Sequence, residues 1–251
     1  MAIIDLNGYC GHWPYWPIEV TTTEGLIRTL DRFKIDQVAV TSTMGVFLER
    51  EDGNRHTAKV MEEAPSRVIG FATVSPVDEK KACSQLARWY TAGMKGVRLF
   101  PQHHRYRLDD DPFLADILKM AEILELPVLI PIRLIANWSL PVMDVREIEP
   151  IVKRYPRVQF IIGGVNYGEF RDTMAILRRH ENVGIETSCL QFVRGVKTLV
   201  DKIGAERVYL GTGLPLQYPA PGLAKVEHAE IGDDAKELIL GGNAERLLCL
   251  K

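Results

Sequence analysis

Eight short apolar runs recur along this chain, and each is followed by a stretch of helical character. The runs are Ala2–Leu6, Gln37–Thr41, Val68–Val74, Gly96–Phe100, Pro127–Ile132, Val158–Ile162, Val183–Glu186 and Arg207–Leu210. Strand and helix alternating eight times leave few architectures open, and the order predicts a closed eightfold β/α barrel. The chain has 251 residues, the usual size of one such barrel, so a single domain over 1–251 is expected. Chemistry in these barrels sits at the C-terminal strand ends. Here those ends read Asn7 and Tyr9, Pro131, Gly164 and Gly213.

Composition removes several classes of function. The formal net charge is −2 with 25% charged residues, and no basic patch stands out, so nucleic acid is not an expected partner. No run reaches the ~18 apolar residues of a membrane span. The N-terminal residues enter a strand without a signal pattern. Cys10, Cys83, Cys189 and Cys249 lie far apart with no C-x-x-C pair. Together these lead us to expect free thiols in a cytoplasmic protein.

Capping chemistry at Thr21–Glu24 predicts a first helix running to about Lys34. Further helices are expected over Asn54–Ala64, Glu79–Thr91 and from Pro112, where Asp109–Asp111 precede a first-turn proline. Others are expected near Val145–Arg154, Phe170–His180, Arg194–Ile203, Asp234–Leu240 and Ala244–Leu250. Gly8–Thr21 and Gly211–Ile231 read as long irregular stretches over the mouth. Pro131 is placed at the rim, because a proline lacks the donor that a paired strand needs.

Several segments in order resemble the amidohydrolase-related branch of the amidohydrolase superfamily. They are Ile4-Asp5, Gly96–Pro101, Ile185–Ser188, Glu206–Pro215 and Ile239–Leu248, the last with Asn243-Ala244 opening a short terminal helix. The resemblance implies a barrel holding a metal through a D-x-H-x-H pair, two later histidines and a strand-eight aspartate. It also implies hydrolysis of C–N, C–O or C–C bonds, or decarboxylation of aromatic and unsaturated acids. This chain departs at every ligand position. Asn7 and Tyr9 stand for the first histidines, Pro131 and Gly164 for the later two, and Gly213 for the aspartate. Proline and glycine side chains coordinate nothing, and asparagine and tyrosine are poor zinc ligands. No metal or other cofactor is therefore expected.

The remaining candidates each have a functional and a structural reading. His103 and His104, after the fourth strand, suit general-base work near neutral pH or a polar loop packed under a lid. A relocated metal site using His12 with either of them lacks a placed carboxylate. Arg98 and Arg133 suit bidentate capture of a carboxylate or phosphate, or a structural ion pair with Glu186 or Asp5. Strand alternation gives Leu129, Pro131 and Arg133 one direction; parity alone does not decide where Arg98 points. Cys189 and Cys10 read as inert buried thiols. Asn166 and Tyr167 can donate to a ligand or cap a loop. Tyr9, Trp13, Trp16 and Trp138 can wall a planar ligand or anchor their loops. Gly211-Thr212-Gly213 is a weak phosphate cradle that the family resemblance explains better.

Two functions remain open on the sequence. One is a metal-independent small-molecule hydrolase or lyase built from His103, His104, Arg98, Arg133 and Tyr9. The other is a non-catalytic barrel that binds a small anionic or aromatic metabolite, or pairs with an active homologue or another copy.

Overall fold

The computed structural model describes residues 2–78, 80–109, 111–136 and 142–250. Eight parallel strands stand in sequence order: β1 (Ile4–Cys10), β2 (Gln37–Ser42), β3 (Val68–Thr73), β4 (Gly96–Arg98), β5 (Val128–Pro131), β6 (Phe160–Gly163), β7 (Val183–Glu186) and β8 (Val208–Tyr209). The Leu6 N–H donates to the Leu210 carbonyl across 2.8 Å and joins the first strand to the last. The expected (β/α)8 barrel is formed.

The outer layer is helical. It comprises α1 (Thr23–Phe33), α2 (Thr43–Phe47), α3 (Arg50–Glu63), α4 (Lys81–Thr91), α5 (Pro101–His104), α6 (Pro112–Ile123), α7 (Glu149–Arg154), α8 (Phe170–Arg179) and α9 (Gly195–Ile203). Then follow α10 (Pro219–Glu227), α11 (Asp233–Glu237) and α12 (Asn243–Leu247), the last two separated by a π turn over Leu238–Gly242. The caps read from sequence are present: Thr22 accepts from the Gly25 N–H, and Asp111 from Phe113 and Leu114. Three helices were not anticipated. α2 and α5 are single short turns after strands, and α10 lies inside the stretch read as irregular, starting at Pro219 in the first turn. α3 begins four residues earlier than the hydrophobic pattern indicated, with Glu51 and Asp52 in its first turn.

Side-chain alternation fills the barrel in layers. Ile4, Leu6, Ala39, Ile69, Phe71, Leu129, Ile161 and Tyr209 point inward, and Ala244 and Leu248 stop the lower end. Gly96 and Gly184 belong to this inner set, because a Cβ on either would strike the rings of Phe71 and Tyr209. The layer above, by the same alternation, takes Arg98 from β4, Gly163 from β6, Glu186 from β7 and Gly211 beyond β8. Between barrel and helices lies a larger apolar shell that includes Val38, Val97, Ile130, Ile162, Ile185 and Val208. Among the described residues no helix is long and apolar enough to cross a membrane.

One strand carries an irregularity that shapes the site. Asp5 pairs with Val38 and Gly8 with Val40, so three steps on β1 face two on β2. This β-bulge spans Leu6 and Asn7 and reverses the alternation beyond it. β1 therefore runs on to Cys10, and Asn7 and Tyr9 lie within a strand rather than past the end of one.

The terminal helix closes the lower rim through Asn243, which is buried and donates from Nδ2 to the carbonyls of Ala205 and Val208, each at 2.7 Å. Asn243→Ala strands both acceptors and is expected to cost about 2 kcal/mol in urea unfolding. A change inside about 0.5 kcal/mol, the range of ordinary surface substitutions, would remove this side chain from the account.

Candidate functional site

Arg98 is fully buried and crosses the barrel toward the bulge. Its guanidinium donates to the carbonyls of Gly8 (2.7 Å), Leu6 (3.1 Å) and Ala39 (3.0 Å). The rings of Tyr9 and Phe71 flank it at 5.0 and 5.5 Å. A bulge interrupts ladder pairing and leaves carbonyls to satisfy; here one planar fork satisfies them. Arg98 is thus neither a free anion receptor nor half of a side-chain ion pair. Asp5 and Glu186 attract it at longer range.

Glu186 holds the opposite side of the same layer. It accepts from the Gly164 N–H (2.6 Å), the Ser188 N–H (2.6 Å) and the Ser188 hydroxyl (2.8 Å). Its carboxylate fills the space that inward side chains on β6 and β8 would need. A Cβ on Gly163 would lie 3.1 Å from Oε1, and one on Gly211 would overlap Oε2. Gly164 and Gly213 are glycine for a different reason. Both have positive φ, +75° and +73°, and a Cβ would meet the Arg133 backbone or the Gln217 side chain. At these two of the five positions where the family resemblance implies metal ligands, glycine is thus a condition of this backbone.

Asn7 and Tyr9 are brought together at the mouth and are completely buried. Asn7 donates from Nδ2 to Ser188 Oγ at 3.2 Å. Its Oδ1 and the Tyr9 hydroxyl make no well-formed hydrogen bond, although the Arg98 guanidinium lies close enough to the phenol to interact with it. Burial pushes the Tyr9 phenol far above its ordinary range, so it remains protonated. Asp5 accepts from the backbone N–H groups of Asn7 (2.9 Å) and Thr212 (3.0 Å) and from the Thr212 hydroxyl. Burial raises its pKa to about 6. Above these polar groups Tyr9, Trp13, Val46, Phe100, Leu134, Ile135 and Leu216 form an apolar plug.

The other candidates fall outside this chamber or are already engaged. Arg133 pairs with Glu169 at 2.5 Å, the two side chains 11% and 22% exposed, so it does not wait for an external anion. The His104 ring nitrogen Nε2 lies 3.0 Å from the Gly45 carbonyl, and His103 packs edge-on against Phe47 and Phe100. They belong to the support of the plug. Asn166 Oδ1 accepts from the N–H groups of Tyr167 and Gln191, a loop-capping role. Tyr167 is 76% exposed. Trp16 packs with Trp13 and Tyr15 outside the chamber, and Trp138 lies outside the described residues. Cys10 and Cys189 are buried, and their thiols are pushed up to about 12 and about 11 by that burial, so thiolate chemistry is disfavoured.

Sequence reading treated Glu186 and Asp5 only as ion-pair partners and passed over Ser188, Gln217 and Lys225. Lys225 reaches in from α10 to donate to the carbonyls of Thr187 (2.7 Å) and Ser188 (2.9 Å). The one available signal was a glutamate ending an otherwise apolar run. These groups do not fit a metal of the family kind. Both chamber carboxylates are saturated by donors, Tyr9 stays a phenol, and a guanidinium stands alongside. Among the described residues no group of three or more His, Cys, Asp or Glu side chains is arranged to hold an ion.

The half-buried histidines should give stability a pH dependence. Burial lowers His103 and His104 to about 4 from 6.5. Between those values the unfolded chain binds protons that the folded chain refuses, so stability falls as pH drops from 6.5 to 4. Asp5, raised from 3.8 to about 6, works in the opposite sense and offsets part of it. Replacing both histidines by glutamine should flatten the decline by roughly 1–3 kcal/mol per residue in urea unfolding across that window. An unchanged slope would show that neither ring is held neutral.

The amidohydrolase family model matches residues 32–250 of the chain. No curated protein sequence matches. Among solved structures, 5-carboxyvanillate decarboxylase from Sphingomonas paucimobilis is similar over 100% of this chain and 99% of its own, at 17% identity and TM-score 0.79. 2,6-Dihydroxybenzoate decarboxylase from Rhizobium aligns over 100% and 99%, at 15% and 0.79. A dihydroxybenzoic acid decarboxylase from Polaromonas sp. JS666, solved with manganese and 2-nitroresorcinol, aligns over 99% and 97%, at 16% and 0.80. At such identity these neighbours speak for the fold alone, while the family match spans most of the sequence. The chain belongs to the amidohydrolase family.

Proposed function

We propose that this chain is a metal-independent amidohydrolase-type barrel whose mouth binds a small uncharged molecule that both donates and accepts hydrogen bonds, a primary amide being the simplest example. The observation that carries the reading is the pair of buried atoms without a well-formed hydrogen bond, Asn7 Oδ1 and Tyr9 Oη, at the two positions where the family resemblance implies the first metal ligands. An orphaned buried polar group costs about 1–3 kcal/mol. A guest N–H on Oδ1 and a guest carbonyl on the Tyr9 hydroxyl would recover that loss. Charge argues against an anionic guest: Arg98 directs its terminal nitrogens to backbone carbonyls, Arg133 is paired with Glu169, and the Glu186 carboxylate stands in the same chamber. Burial under the apolar plug favours a compact ligand.

Catalysis without metal has one supporting observation. Ser188 Oγ donates to Glu186 Oε1 at 2.8 Å and accepts from Asn7 Nδ2 at 3.2 Å, an arrangement of hydroxyl beside base that suits a nucleophile. Hydrolysis of a small activated ester that disappears in Ser188→Ala would favour this second reading over simple binding.

Two measurements test the favoured one. Elemental analysis of protein purified without chelators should find less than about a tenth of an equivalent of zinc, iron or manganese, whereas close to one equivalent contradicts it. Tyr9→Phe removes an unsatisfied buried hydroxyl, so the free protein should keep its stability or gain up to about 1 kcal/mol. The same variant should lose the thermal stabilisation that acetamide confers on the parent. Stronger stabilisation by acetate than by acetamide, or an undiminished response in Tyr9→Phe, counts against an uncharged ligand held at this position.

A further inference from the structure

We propose that a second cleft, separated from the chamber by the apolar plug, is a binding site for a small planar aromatic molecule carrying one acidic group. The cleft has a volume of about 320 Å³ and lies between the loop after β1, helix α1 and the segment leading into α10. That volume is at the lower end of the range for small-molecule sites. Its walls are unusually aromatic for exposed surface. Trp16 and Tyr218 are 39% and 56% exposed, and Phe33 meets Tyr218 edge-on at 5.0 Å. Exposed aromatic surface gathered in a concavity offers an apolar face to a flat ring.

The cation defines the rest of the ligand. Arg32, in the last turn of α1, places its guanidinium carbon 5.4 Å from the Phe33 ring centre and 5.8 Å from that of Tyr218. Two aromatic contacts orient the fork, yet among the described residues Arg32 has no hydrogen bond or ion pair. A held guanidinium with its donors free suits one carboxylate or comparable oxyanion, taken through two parallel N–H groups. Glu19 also lines the cleft and sets a limit, since a second negative group on the ligand would meet it. The inner wall is made by Leu216, which belongs to the apolar plug, and Gln217, whose Oε1 accepts from the Ala136 N–H. The cleft thus backs onto the cover of the chamber without opening the buried polar atoms beneath. The inference is independent of what the chamber binds.

The test follows the indole N–H resonance of Trp16, assigned with Trp16→Phe, during titration of the whole protein with benzoate. A saturable shift is expected in the millimolar range, the affinity ordinary for so small a fragment. Arg32→Met should weaken binding by about tenfold or more, with Arg32→Lys between the two. Glu19→Gln should tighten it by removing a like charge. Benzamide, which is flat but uncharged, and cyclohexanecarboxylate, which is charged but not flat, should both bind more weakly than benzoate. Tyr9→Phe should leave the titration unchanged. The proposal is overturned by absence of a saturable shift, by Arg32→Met retaining the parent affinity, by either control ligand matching benzoate, or by loss of the response in Tyr9→Phe, which would locate the binding in the chamber instead. Arg32 and Glu19 are surface residues, so both variants should fold.

Discussion

The fork of hydrogen bonds from Arg98 to the carbonyls of Leu6, Gly8 and Ala39 is the interaction on which the upper half of this barrel depends. The bulge in β1 turns Asn7 and Tyr9 into the chamber, and a bulge in a closed barrel needs a donor for the carbonyls it frees. Arg98 supplies that donor from the far side of the barrel. A family metal would place a positive charge at the top of the strands through side-chain ligands. Here the positive charge is covalently part of β4, and its partners are backbone atoms.

That arrangement accounts for its surroundings. With the cation committed to β1 and β2, the acidic group of the layer sits across from it, and Glu186 takes the room left by Gly163 and Gly211. Its oxygens are saturated by Gly164 and Ser188. Gly164 and Gly213 adopt left-handed backbone that other side chains resist. Gly164 and Gly213, at two positions where the family resemblance implies metal ligands, are therefore set by the local backbone. Asn7 Oδ1 and the Tyr9 hydroxyl are among the buried polar atoms left without partners there, with Arg98 Nε and Trp13 Nε1, and the functional proposal rests on the first two.

The architecture was readable because it depends on patterns that repeat. Eight apolar runs needed eight strands, and caps such as Thr22 and Asp111 act through neighbours in sequence. Short helices that follow strands directly, α2 and α5, carry too few residues for periodicity to register. The site was less legible because its contacts join residues far apart in the chain. Arg98 touches Leu6 and Gly8 some ninety residues away, and no local pattern announces a bulge. Strand parity gave Arg133 the direction of Leu129 and Pro131, but β5 ends at Pro131 and Glu169, a residue on another loop, engages the guanidinium. Gly163 and Gly211 were invisible as partners of Glu186, since an absent side chain gives no signal of what fills its space.

The most direct test is the unfolding free energy of Arg98→Met in urea, beside Arg98→Lys. If the guanidinium holds the bulge, methionine strands three buried carbonyls and removes the counter-charge to Glu186. The loss should then be about 3–5 kcal/mol, the usual cost of deleting one member of a buried charged network. Lysine should recover only part of it, because a single ammonium does not span three carbonyls as a planar fork does. Arg98→Met within about 0.5 kcal/mol of the parent would contradict the claim that this cation holds the barrel mouth together.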